Sequence, residues 1–161
     1  MASLGAAYIM SGRPDAALPL LEQAAAEAQA IKLVYGHPEA LIHTSEAHFA
    51  AGRLDEARRY AGQARDIASR QGARGDEARA LFLRGEIASH GEPSESEQAL
   101  ENYAAALVLA KELGMAPLQA RCHLGLGGVY QRMGQDEEAR RELTYAVAML
   151  QAMQMRYWLQ K

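Results

Sequence analysis

The chain has 161 residues, 49% of them apolar and 23% charged, with a formal charge of -3. That balance fits one folded domain and excludes a disordered segment, and the lack of any dense lysine and arginine block excludes a general nucleic-acid binder. No apolar run reaches the roughly 20 residues that span a bilayer, and the first residues lack the basic start of a secretory signal, so no membrane role is expected and the default location is cytoplasmic. Aromatic residues make up only 6% and alanine is abundant, which suits closely packed helices and predicts an all-α protein.

In chain order the pattern predicts helices over 2–11, 14–32, 38–51, 54–71, 76–90, 95–113, 116–133 and 136–152, with a further helix beginning at Met155. Gly5, Ser45, Gly85 and Gly127 hold one position of the first helix of each pair, 40, 40 and 42 residues apart, where a neighbouring helix must come close. Tyr8, His48, Ala88 and Tyr130 follow three residues later. Gly12, Gly52 and Gly134 stand just past three of these helices, with Gly91 near the end of the remaining one. Glycine there takes the left-handed conformation that closes the last carbonyls, so each marks the turn of a helical hairpin.

The second helices open on acidic residues, Asp15, Asp55, Glu56, Glu95, Glu97 and Asp136 to Glu138, which complement the helix dipole. Ser94 followed by Glu97 reads as a capping box. Ala17, Leu21 and Ala24 form an i, i+4, i+7 stripe that recurs at Ala57, Ala61 and Ala64, at Ala99, Tyr103 and Ala106, and at Ala139, Leu143 and Ala146. The last members, Ala24, Ala64, Ala106 and Ala146, are 40, 42 and 40 residues apart. A period in this range marks a stacked helical repeat, in which each unit buries its apolar face against its neighbours. One domain over 1–161 is expected, with repeats at 1–36, 37–74, 75–115 and 116–154 and the start of a further helix at 155–161.

At Leu4, Gly5, Tyr8, Gly12, Ala17, Leu21 and Ala24, and again at Leu126, Gly127, Tyr130, Gly134, Ala139, Leu143 and Ala146, the chain resembles the tetratricopeptide repeat (TPR) family. The middle copies match less fully, with Thr44, Ser45 and His48 in one and Arg84, Gly85 and Ala88 in the other. The unit is about 40 residues, longer than the roughly 34 of the family, and the proline that closes the family's second helix is absent. Residues 122–159 are similar to the long-repeat arrays at the C-terminal end of bacterial signalling ATPases, ATPase-linked transcription regulators and adenylate cyclases, although no ATPase or cyclase motif is present. The resemblance implies a right-handed superhelical stack, an α-solenoid of about four TPR-like hairpins, whose first helices line a concave groove.

Little in the sequence points to catalysis. Gly125, Gly127 and Gly128 lie within a predicted helix, where they serve close packing and not phosphate binding. The histidines, His37, His43, His48, His90 and His123, show no zinc-ligand spacing, so no metal or other cofactor is expected. Cys122 has no partner for a disulfide and reads as a small buried hydrophobe. Glu137 and Arg141 are spaced to pair on a solvated face. No nucleophile stands in a recognisable motif with a base, and the chain is not expected to be an enzyme.

Carried over position by position, the resemblance assigns the groove to Glu39, Ile42, Glu46 and Phe49, to Arg79, Phe82, Glu86 and His90, and to Arg121, Leu124, Gln131 and Arg132. Arg79 and Arg121 are equivalent one repeat apart, so they are expected to grip successive carboxylates of a peptide, with Phe49 and Phe82 as apolar anchors. The alternative is that these are ordinary surface charges and core aromatics. The family's carboxylate clamp is not expected, because its lysine and asparagine positions read Ala2, Ala6 and His43.

The predicted first helix begins abruptly at Met1, and apolar residues gather before Lys161. A piece of a larger polypeptide is the favoured expectation; the second is a homo-oligomer formed through an end made of Met153, Met155, Tyr157 and Trp158. The sequence reading is thus a non-catalytic scaffold that binds a peptide or protein segment in its groove, as part of a bacterial signalling or regulatory protein. Two rivals stand beside it: a structural or self-association module, and the small-ligand sensor region of a larger ATPase-type regulator.

Overall fold

The structure, a computed structural model, describes residues 14–30 and 37–159, without side-chain detail at 28–30 and 154–159. Every regular element among them is helical: α1 (Pro14–Ala30), α2 (His37–Ala50), α3 (Leu54–Gln71), α4 (Arg74–Ser89), a single 3-10 turn (Pro93–Glu95), α5 (Ser96–Glu112), α6 (Ala116–Arg132) and α7 (Asp136–Leu159). The helix predicted over 2–11, with Gly5, Tyr8 and Gly12, lies outside the described residues.

The turns follow from backbone chemistry. Gly52, Gly72, Gly114 and Gly134 all carry φ near +70°, at 74, 68, 67 and 72°. Beyond them Arg53, Ala73, Met115 and Gln135 donate their N–H back to the carbonyls of His48, Ala68, Ala110 and Tyr130 at 2.8–2.9 Å, satisfying acceptors that the helix leaves open. At these four turns the following helix therefore folds back on the one before it.

Consecutive helices pack as antiparallel neighbours, and α2, α4 and α6 also approach one another, whereas α3, α5 and α7 do not. The first helices of the pairs thus form a tight inner layer, and the second helices splay outward, so the concave face belongs to α2, α4 and α6. The alanine column is what lets the layers close: Ala64, Ala106 and Ala146 are fully buried. Where Gly85 and Gly127 stand, an added Cβ would fall 2.7 Å from the Tyr103 ring and from Leu143 respectively. Ser45 takes the equivalent place in α2 and satisfies its buried hydroxyl by donating to the Ala57 carbonyl at 2.7 Å.

Three local expectations are corrected. No new helix begins at Met155, because α7 runs unbroken from Asp136 to Leu159. The position held by Gly72 and Gly114 in the earlier outer helices is Gln154 here, and without a left-handed glycine the helix has no stop. The second correction is Gly91, which does not take the left-handed conformation; α4 ends on His90 at φ -99°. A Cβ on Gly91 would collide with Glu95 and Arg58, so this glycine makes room for their 2.6 Å ion pair. Thirdly, Ser94 and Glu97 form no capping box, since Ser94 lies within the 3-10 turn and no side chain caps α5.

Candidate functional site

The concave face divides into two halves of different electrostatic character. Between α2 and α4 the charges satisfy one another. His43 Nδ1 lies 2.9 Å from Glu46 and its Nε2 lies 3.8 Å from Glu39. Arg79 reaches Glu39 at 3.8 Å and Asp76 at 3.6 Å. Burial raises the Asp76 carboxyl above its ordinary range, and Arg79 pulls it back. Arg79 is therefore held by carboxylates of the chain itself, contrary to the expectation that it stands ready for a partner.

Between α4 and α6 the arrangement is open. A pocket of about 320 Å³ is lined by Phe82, Glu86, His90, Arg121, Leu124 and Arg132 of the predicted groove, together with Ser89, Tyr103, Gly125 and Gly128. The Arg121 guanidinium lies over the Phe82 ring, 4.3 Å from its centroid, a cation–π contact that fixes the charge without neutralising it. Arg121 and Arg132 are both exposed, and neither makes an ion pair among the described residues. His90 closes the side nearer α2 by meeting Phe49 edge-on at 5.1 Å.

Tyr103 builds the floor. It belongs to the outer helix α5, is 1% exposed, and projects inward past Gly85 of α4 and Gly125 of α6. Its hydroxyl donates to Glu86 at 2.5 Å, with Ser89 Oγ at 3.5 Å. Burial first, and then the Glu86 contact, push the phenol well above its ordinary range, so it stays protonated and can donate. Gly128 has no neighbour within 4 Å of where a Cβ would stand, and so leaves the pocket hollow.

The predicted residues thus separate. Ile42 is 1% exposed and belongs to the core beside Ala57, Ala61 and Ala64, and Phe82, at 5%, is a floor residue beneath Arg121 and not a free anchor. Gln131 lies on another face, beside Asp136, Ala139 and Leu143. Glu39 and Glu46 are tied up with His43 as described. Tyr103, Ser89 and Gly128 were not among the expected residues; the signal for Tyr103 was a bulky ring in a column otherwise filled by alanine and leucine, flanked by two glycines.

Away from the groove, the Glu137–Arg141 pair does not form; Arg141 instead contacts Glu142 at 3.4 Å. Cys122 is fully buried, and burial pushes its thiol up to about 12. Of the residues assigned to self-association, Met153 is half-buried, and the side chains of Met155, Tyr157 and Trp158 lie outside the described residues.

A model of the tetratricopeptide repeat family matches residues 8–82. No curated protein matches the sequence. Among solved structures, similarity is found to one described as the nearly identical TPR-like repeats of a kinesin light chain from Podosopora anserina, 18% identical, covering 95% of this chain and 94% of that one with a TM-score of 0.44. A single-substitution variant of the same protein is 19% identical, with 96% and 94% covered and a TM-score of 0.43.

Proposed function

We propose that the protein is a non-catalytic scaffold that holds an extended segment of a protein partner along its concave face, with an acidic side chain of that segment seated between Arg121 and Arg132. One observation carries this reading: the two guanidinium groups flank a hollow pocket and have no ion-pair partner among the described residues, whereas Arg79, one repeat earlier, is already matched by Glu39 and Asp76. Arginine presents a planar fork suited to carboxylates, and Phe82 holds Arg121 in place for it. Leu124, at the same wall, supplies an apolar contact for the neighbouring residue of the segment.

On the similarity of residues 122–159 to the arrays of bacterial ATPase-type regulators, we place this scaffold in a signalling or regulatory protein, as its sensor or assembly region. Selection from a displayed library of random 12-residue peptides tests the site. Enriched peptides should combine acidic and apolar residues, and the Arg121→Ala/Arg132→Ala double variant should lose them by about tenfold or more in affinity. Enrichment that the double variant retains would overturn the proposal.

A further inference from the structure

The outer face carries a second cavity with different chemistry. The backbones of α5 and α7 stay apart among the described residues, and the gap between them is floored by α6. It is an open groove of about 760 Å³ whose apolar walls include Leu107, Val108, Tyr130, Tyr145 and Met149, with Glu101, Lys111 and Gln119 also in the lining. At its rim Val108 and Tyr145 remain 57% and 53% exposed. Pockets for small organic molecules have this size and composition, apolar walls with a few placed polar groups.

The gap one repeat earlier, between α3 and α5, shows that the cavity is not a by-product of the architecture. There Arg58, Arg84, Ala88 and Asn102 stand where Leu100, Leu126, Tyr130 and Glu142 stand here, and the space left is about 120 Å³. Arginine side chains fill the earlier gap. In the later one they are replaced by leucines, and the space is left open.

At the floor lies a buried polar pair. The His123 side chain is 8% exposed, and its Nδ1 lies 2.7 Å from Glu142, itself 12% exposed. An ionised Glu142 accepts from Nδ1–H, and Nε2 has no hydrogen-bond partner among the described residues, so in the neutral ring Nε2 is left as an acceptor. His123 thus brings one unpaired ring nitrogen to a cavity whose lining is mainly apolar. The Tyr145 ring packs against the imidazole with centroids 5.5 Å apart and extends the aromatic wall.

The geometry points to a binding site for a small aromatic molecule bearing one neutral hydroxyl, a phenol-type ligand whose O–H donates to His123 Nε2 while its ring lies between Tyr130, Tyr145 and Met149. Two carboxylates of the lining, Glu101 and Glu142, stand against the single ammonium of Lys111, which disfavours a carboxylate ligand, and a hydrocarbon would leave Nε2 unmatched. The site is independent of the concave groove.

The test titrates 2-naphthol, its methyl ether and 2-naphthoate into the whole chain, followed by amide NMR. Saturable shifts at Val108, Leu126 and Tyr145 with 2-naphthol are expected, with the methyl ether binding about tenfold more weakly for want of the donor. Ala104, exposed in the cavity wall, offers a variant that fills the space; Ala104→Leu should weaken 2-naphthol about tenfold while keeping the native spectrum elsewhere. The site is overturned by shifts that do not saturate, that lie elsewhere, or that Ala104→Leu leaves unchanged. The neutral-donor assignment is overturned if the ether or 2-naphthoate binds as well as 2-naphthol.

Discussion

The Tyr103 hydroxyl donates to Glu86 at 2.5 Å, so a residue of an outer helix supplies hydrogen-bonding chemistry to the concave face. The contact couples packing to the site: the ring fills the space beside Gly85 and Gly125, and its tip orients a carboxylate in the pocket. Tyr103→Phe keeps the ring and removes the bond, and should lower stability by about 1 kcal/mol in urea unfolding. Tyr103→Ala, which also empties the core position, should cost about 3–5 kcal/mol.

Glycines of α6 should respond oppositely to the same substitution. Gly125→Ala drives a methyl into the Tyr103 ring and should destabilise by about 1 kcal/mol or more, a loss relieved in a Tyr103→Leu background. Gly128→Ala meets nothing within 4 Å and should stabilise by up to about 1 kcal/mol, as expected for removing a helix-interior glycine. Urea unfolding of the single variants and of the Gly125→Ala/Tyr103→Leu pair checks both signs.

The alanine column sets the spacing of the layers. Ala64→Leu and Ala106→Leu add bulk at fully buried positions and should each destabilise by about 1–3 kcal/mol in thermal or urea unfolding. The same change at Ala105, an exposed position of α5, should stay within about 0.5 kcal/mol.

Alkaline pH should unfold the protein by a route that involves Cys122 and Tyr103. Both groups have folded pKa values raised by burial, Cys122 from 9.0 to about 12 and Tyr103 well above its ordinary 10.0. The native chain keeps protons that the unfolded chain releases, so this stability is fully present below about pH 9 and is lost as pH rises from there through about 12. Urea midpoints should fall across that window, with a shallower fall in Cys122→Ala.

The repeat architecture was legible in the sequence because its determinants are local and periodic. Left-handed glycines at 52 and 134 and the buried alanines at 64, 106 and 146 lie where the spacing placed them. The site was legible only in part. Spacing put Arg79 and Arg121 in register, but the carboxylates that neutralise one and not the other come from Glu39 in a different repeat and Asp76 on the same helix, a distinction that depends on side-chain geometry. Tyr103 was hidden for a similar reason: its place in an outer-helix stripe marked it as core, and only the two glycines opposite allow its hydroxyl to reach the inner surface.

Gly128→Leu tests the central claim most directly, because Gly128 lines the concave pocket and a Cβ there meets nothing within 4 Å, so the added side chain enters the pocket. Its affinity for the acidic 12-residue peptide enriched on the native protein can be measured alongside its unfolding midpoint. The pocket reading predicts unchanged or increased stability together with a loss of peptide affinity of about tenfold or more. Full peptide affinity in a stably folded Gly128→Leu protein would contradict it.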